Sequence, residues 1–310
     1  MELRQLRYFV AIVDQGSLSR AARMLHIAQP ALTQQLQQLE EELGVQLLHR
    51  SAQGVVSTDA GKTFYEHAQA ILKQVGDAKS AVAQTAARPS GTVALGIPQS
   101  VSGALALPLL TAVRATYPEI SLQLTEELTG NLIEQLKSGR INLALLFDDG
   151  QLGAFATTPL VEEDLMFITR ADSQFAPRKT SMPLAQAVEL PLILPDLQHG
   201  VRPRIEKVVR AAGLKIEQPI EINSIAILKS ALQADIGATL LPVAPVLPEI
   251  ERGILRAYPL GGATISRTIC VCASRNIPLT NAADAVKRLV LDVTRHLHDG
   301  GQWQGVRLLG

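Results

Sequence analysis

The chain has 310 residues, 47% hydrophobic and 19% charged, with 29 basic and 29 acidic side chains and no formal net charge. That composition excludes a disordered chain, the length holds more than one domain, and no apolar run reaches the ~20 residues that span a bilayer. The opening Met1-Glu2-Leu3-Arg4 lacks the apolar core of a signal peptide, so a cytoplasmic location with no membrane partner is expected.

The first informative stretch is 17–50. Ser17 is a natural N-cap, and Ala21 and Ala22 keep the helix behind it thin enough for a second helix to cross closely. The turn His26-Ile27-Ala28 leads into Gln29-Pro30, where proline is tolerated because first-turn N–H groups have no intrahelical partner. Leu32, Leu36, Leu39 and Leu43 then recur at helical spacing and predict one buried stripe. The opposite stripe carries Gln29, Thr33, Gln34, Gln37 and Gln38, the amides and hydroxyl that reading base edges in a major groove requires. A plain helical hairpin with a solvated glutamine face is the alternative. Two short strand-like runs, 47–50 and 55–57, flank Ser51-Ala52-Gln53-Gly54 and predict a hairpin. A hairpin directly after a recognition helix is a wing, with Arg50 at its base within reach of a phosphate. The candidate DNA-binding set is Ser17, Leu18, Gln29, Pro30, Thr33, Gln34, Gln37, Arg50 and Gln53. Within 1–60 five arginines face six carboxylates, so one copy alone should bind DNA weakly.

Thr58 is placed to cap a long helix over 59–87. Phe64, Ala68, Ile71, Val75, Ala78 and Val82 follow a 4-3-4-3-4 spacing, a heptad-like seam that predicts dimerisation. A core helix lying on its own C-terminal domain fits the same stripe. Arg88-Pro89-Ser90-Gly91 marks a hinge. Beyond it, strand-like runs at 92–97, 120–126, 141–147, 165–169, 190–194, 219–222, 238–241 and 268–273 alternate with amphipathic segments at 104–116, 132–138, 202–212, 225–234 and 282–296. That alternation predicts an α/β fold with largely parallel sheets.

The order of helix, helix-turn-helix and wing, with LRQLRYFVAIVDQGSLSRAARMLHIAQPALTQQLQQLEEELGVQLLHR and STDAGKTFYEHAQAIL, resembles the LysR-type transcriptional regulators along nearly the whole chain. Within that family the runs IAQPALTQQ and INSIAILKSAL are most similar to regulators of nitrogen metabolism. Three positions depart from the family pattern: Ala28 replaces a usual serine cap, Leu48 a common phenylalanine, and Asp235 a frequent glycine. The resemblance implies a winged helix-turn-helix domain (1–58), a linker and dimerisation helix (59–87), a hinge (88–91) and a two-lobed α/β domain like the periplasmic binding proteins (92–296). Lobe I would comprise 92–162 and 267–296, lobe II 163–266, and 297–310 a C-terminal tail. It further implies promoter DNA, a second copy of the chain (dimer or tetramer), RNA polymerase and a small-molecule co-inducer as partners, with no cofactor.

The cleft between two such lobes is the expected effector site. Backbone N–H groups after Ile97 and the hydroxyls of Ser100 and Ser102 suit a small anion such as a carboxylate. The resemblance places Ser100, Thr129 and Phe147 against the effector and matches His199, Arg202, Asn223 and Ser224 to loops that close over it, with Arg202 as the carboxylate-binding guanidinium. Helix capping is the alternative role for Ser100 and Ser224, and a solvated surface charge for Arg202. Cys270 and Cys272 alternate in an apolar strand and read as buried thiols on one sheet face rather than a metal pair. His296 and His298 sit at a helix end, and no nucleophile–base or metalloenzyme motif is present. No enzyme is therefore expected. A ligand-responsive transcription factor is the leading reading, ahead of a cytosolic solute-binding protein or an enzyme on the two-lobed fold.

Overall fold

The computed structural model describes residues 1–51, 54–83, 89–150, 152–197 and 201–309. The chain divides into an N-terminal unit, Met1–Thr85, and a C-terminal unit holding nearly all the remainder.

The N-terminal unit runs α1 (Leu3–Gln15), α2 (Leu18–Met24), α3 (Gln29–Leu43), β1 (Leu48–Ser51), β2 (Gly54–Ser57) and α4 (Asp59–Ala83). Its core is built from single stripes: Leu6, Phe9 and Ile12 of α1, Ala21 and Ala22 of α2, and Leu32, Leu36 and Leu39 of α3 are all buried. Leu43 departs from its expected place and is 39% exposed, because Gly44 ends the helix in the left-handed region one residue later. The tight turn between α2 and α3 is a Schellman arrangement with His26 at φ 55: His26 N–H donates to the Arg23 carbonyl and Ile27 N–H to the Ala22 carbonyl. The hairpin pairs Leu48 with Ser57 and Ser51 with Gly54. Gly54 sits at φ 135, where an added Cβ would lie 2.6 Å from the Gly16 carbonyl oxygen, and Val55 N–H donates to that same oxygen. Thr58 caps α4 through the Gly61 N–H at 2.9 Å while its hydroxyl donates to the Gln46 carbonyl. The helix expected over 59–87 is described to Ala83; 84–87 and the hinge residue Arg88 lie outside the described residues.

The C-terminal unit runs β3 (Gly91–Pro98), α5 (Gln99–Thr116), β4 (Ile120–Glu127), α6 (Thr129–Ser138), β5 (Leu143–Asp148), β6 (Phe155–Asp164), β7 (Met166–Arg170), β8 (Met182–Pro183), α7 (Leu184–Ala187), β9 (Ile193–Leu194), α8 (Val201–Ala211), β10 (Ile220–Glu221), α9 (Ile225–Gln233), β11 (Thr239–Leu241), α10 (Leu247–Glu251), β12 (Leu255–Tyr258), β13 (Leu260–Gly261), β14 (Ser266–Ser274), α11 (Asn281–Asp299) and β15 (Val306–Leu308). Lobe I is a six-stranded sheet in the order β15-β6-β14-β5-β3-β4. Val93, Leu95 and Ile97 of β3 join Leu143 and Leu145 of β5 and Val271 of β14 on one face, under α5 and α11. Ala94, Ala144, Leu146, Cys270 and Cys272 point to the other face, toward Leu132 and Leu136 of α6. Within this sheet the parallel pairing expected from alternation is found for β4-β3-β5, while β14, β6 and β15 pair antiparallel. The reason is β14, which returns from lobe II between β5 and β6 and runs opposite to both, β6 being a ten-residue strand that sequence reasoning missed. Lobe II is built on the antiparallel trio β11-β7-β12, with short parallel pairs β9-β10 and β8-β13.

Both chain crossings between the lobes lie side by side, since Ser266 pairs with Asp164 and Arg267 with Glu163. Asp235 keeps the left-handed backbone where the family often has glycine: its φ is 57, Ile236 N–H donates to the Ala231 carbonyl, and Arg170 lies 3.4 Å from its carboxylate. Of residues 297–310, read as a tail, the described residues 297–309 are instead part of lobe I. Helix α11 runs on to Asp299, Trp303 is buried in the core, and β15 adds a strand to β6. Arg307 secures that strand through Glu162 at 3.1 Å and Asp164 at 3.3 Å. Replacing Trp303 with alanine should therefore cost about 3–5 kcal/mol of stability; a urea midpoint equal to that of the parent protein would show the segment to be a true tail.

Candidate functional sites

The polar stripe of α3 stays open within its own unit: Gln29, Pro30, Gln34, Gln37 and Gln38 are exposed and Thr33 half-buried. Ser17 caps α2 by accepting from Arg20 N–H, with Leu18 half-buried behind it. Ala28 at the start of α3 offers no side-chain acceptor, as its sequence implies. Ser19 donates to the Gln29 amide oxygen at 3.0 Å and Gln35 to that of Gln38 at 2.9 Å, so neighbouring side chains order part of this surface. Arg50 projects from β1 beside α3, and Gln53 lies outside the described residues. Sequence reasoning missed Glu40, counted there only as a negative charge; it accepts the Leu47 and Leu48 N–H groups at the foot of the wing.

The seam of α4 splits in two. Phe64 and Ala68, read as its first members, serve the winged-helix core of the same chain: Ala68 is fully buried and Phe64 meets Phe9 edge-on at 5.1 Å. The packing stripe of a helix against α1 and the start of a self-association seam share one spacing, and α1 takes the first turns. Farther along, Ile71 is 37% exposed, Val75 half-buried, Ala78 exposed and Val82 89% exposed.

Between the two lobes, Ser100 is buried and accepts a hydrogen bond from Arg267 at 2.8 Å. The Arg267 guanidinium lies 3.9 Å from the Phe147 ring centroid and 2.5 Å from the Glu163 carboxylate. Ser100 and Phe147, expected against the effector, thus share one guanidinium of a buried ion pair that already engages them. Burial pushes the Glu163 carboxyl up and the Arg267 guanidinium down, each opposed by the attraction of the other. Ser102 donates to the Gln99 carbonyl at 3.0 Å and to Glu126, and Thr129 opens α6, half-buried. From lobe II, Ser224 takes its alternative role and caps α9 through Ile227 N–H. Asn223 exchanges two hydrogen bonds with Asp196. Gln99 bridges the lobes by accepting Ile225 N–H at 3.2 Å.

Arg202 must be corrected. It is neither a ligand clamp nor a solvated charge but a buried brace, held by Glu206 at 2.7 Å and the Pro195 carbonyl at 3.1 Å. The guanidinium that crosses between the lobes belongs to Arg204, which donates to the Asp148 carbonyl at 3.3 Å. Two residues of helical advance turn the side chain from the lobe core toward the cleft. His199 lies outside the described residues. Arg267, Glu163, Gln99 and Arg204 were not foreseen. The available signal was charge at the lobe crossings, where Glu162-Glu163-Asp164 and Arg267 interrupt apolar runs.

Removing one member of the buried pair, as in Arg267→Met, should cost about 3–5 kcal/mol, while Arg267→Met with Glu163→Leu should recover most of it. Equal losses in both variants would deny the pairing. Burial pushes the Cys270 and Cys272 thiols up to about 11 and about 12, so both are protonated at pH 8. The native protein should leave a thiol reagent unconsumed at that pH and react fully once unfolded; rapid native labelling would contradict their burial.

Residues 3–62 match the bacterial regulatory helix-turn-helix protein, lysR family, model and residues 86–295 the LysR substrate binding domain. The nitrogen assimilation regulatory protein nac of Escherichia coli (strain K12) is 35% identical over 308 residues, 98% of this chain and 99% of that protein. Full-length BenM is 26% identical with a TM-score of 0.58, covering 98% of this chain and 99% of that one. A full-length OxyR variant from Pseudomonas aeruginosa, 22% identical, shares the fold with a TM-score of 0.70 over 95% of this chain and 98% of that one. With a helix-turn-helix domain at one end and an effector-binding domain of two lobes at the other, the chain belongs to the LysR family of DNA-binding transcriptional regulators and is not an enzyme.

Proposed function

We propose that this regulator reads a promoter sequence with the amide side of α3, acts in the cytoplasm as a dimer or tetramer assembled partly through α4, and responds to a small anionic metabolite between its lobes. The observation that carries the reading is the open polar stripe of Gln29, Thr33, Gln34 and Gln37 on a helix whose other side buries Leu32, Leu36 and Leu39 in its own core. Glutamine pairs best with adenine edges, which favours A·T positions in the half-site. Five arginines in the N-terminal domain are too few for firm binding by one copy, so two copies on paired half-sites supply the missing phosphate contacts. The exposed Ile71 and Val82 on α4 offer the apolar surface for pairing. Among the described residues no helix is long and apolar enough to cross a membrane.

The anionic character of the effector rests on Arg204, which makes no ion pair among the described residues, and on the α5 N-terminus, where Pro98 supplies no side-chain cap. Effector binding there would shift the lobes and, through linkage, the geometry of the DNA-bound assembly and its contact with RNA polymerase.

Gln29→Ala with Thr33→Ala should lower the ratio of cognate to scrambled duplex affinity by roughly one to two orders of magnitude, as lost base contacts do. An unchanged ratio in gel shifts would remove α3 as the reader. Ile71→Glu with Val82→Glu should convert dimers to monomers in sedimentation; intact dimers would assign the pairing surface elsewhere.

A further inference from the structure

Thr33, Gln37 and Glu40 stand at i, i+4 and i+7 on α3, so a carboxylate continues the stripe assigned to base reading. A negative charge beside a phosphate backbone weakens binding to any sequence. Its geometry shows what it does instead. One oxygen, Oε1, accepts Leu47 N–H at 2.8 Å and Leu48 N–H at 3.2 Å, the two amides that open the wing. The other, Oε2, lies 3.8 Å from the Arg50 guanidinium. The Glu40 side chain is only 14% exposed and that of Arg50 36%, so the contact is sheltered from solvent more than a usual surface pair. Neither Glu41 nor Glu42, its exposed neighbours, bonds to the wing among the described residues. Gln37, Glu40, His49 and Arg50 line one hollow between helix and hairpin.

The geometry points to Glu40 as a positioning residue for DNA discrimination: it ties the wing to α3 and holds Arg50 in register with the reading stripe. This rests on the assignment of that stripe to DNA. Two hydrogen bonds from the Leu47 and Leu48 N–H groups set the distance from helix to hairpin, and the charge–charge contact sets the direction of a guanidinium that otherwise samples many rotamers. Arg50 then meets one phosphate or groove edge when α3 is in register and misses it when α3 is not. Non-specific affinity is given up and selectivity gained, the usual role of charge complementarity in recognition.

The test uses the full-length protein and a duplex selected by the parent protein from a random pool, with a scrambled duplex as reference. Glu40→Gln keeps an acceptor for both amides and removes the charge. Its thermal midpoint should stay near that of the parent, its affinity for scrambled duplex should rise a few-fold, and its cognate-to-scrambled ratio should fall about five-fold or more. Arg50→Ala should weaken cognate binding about ten-fold in the parent background but less than about three-fold beside Glu40→Gln. Glu40→Asp, one methylene shorter, provides a second background in which the Arg50→Ala penalty should also shrink. An Arg50→Ala penalty equal in all backgrounds, or an unchanged ratio in Glu40→Gln, would overturn the role. A parent protein that selects no duplex would sink the DNA assignment itself, and this role with it, an outcome separate from additive variants.

Discussion

A buried ion pair ties the effector domain together. Glu163 and Arg267 face each other across β6 and β14 at the point where the chain leaves lobe I and returns. Two charges out of water are tolerable only when geometry and hydrogen bonds compensate, and here the guanidinium also lies over Phe147 and donates to Ser100. One contact thus links the crossing strands to the first turn of α5. The Ser100 and Phe147 side chains are pre-set by it, so an effector bound at the site proposed above would work with this pair or rearrange it.

The DNA-binding unit follows a different economy. Its core is a set of single stripes from short helices, closed by a wing whose placement rests on backbone contacts. Gly54 presses on the Gly16 carbonyl, Thr58 bonds back to Gln46, and Glu40 gathers two amides at the hairpin's foot. Such contacts leave Gln34 and Gln37 on the polar side of α3 exposed, while Gln29 and Gln38 bond, among the described residues, only to neighbouring side chains of the helix-turn-helix. Recognition surfaces need this division, because side chains engaged by their own fold cannot trade partners with a base edge.

Spacing misplaced some residues, and the family resemblance Arg202, in instructive ways. Phe64 and Ala68 share the heptad rhythm of Ile71 and Val82, yet the winged-helix core buries Ala68 and takes the half-buried Phe64 against Phe9, leaving the others exposed. Arg202 and Arg204 are two positions apart on α8 and look alike on paper, but one is locked to Glu206 inside lobe II while the other reaches lobe I. Trp303 sits beyond the last periodic segment in a glycine-rich stretch, and long-range packing buries it. For Phe64, Arg204 and Trp303 the deciding partner is remote in sequence and leaves no local pattern, whereas Arg202 is held by Glu206 one helical turn away.

What the residues alone determined is whatever repeats on the scale of one element: the stripes of the helix-turn-helix, the Ser17 and Thr58 caps, the hairpin around Gly54, and the alternation that puts Cys270 and Cys272 on one sheet face. These follow from backbone period and capping chemistry, which act over a few residues. Only the tertiary structure decided the mixed sheet, the wing's tie through Glu40, and the meeting of Glu163, Arg267, Ser100 and Phe147. Those arrangements join positions up to 167 apart, from Ser100 to Arg267, and no local period can select such a pairing. Burial selects it, because a charge inside a lobe must find its partner wherever the chain brings one.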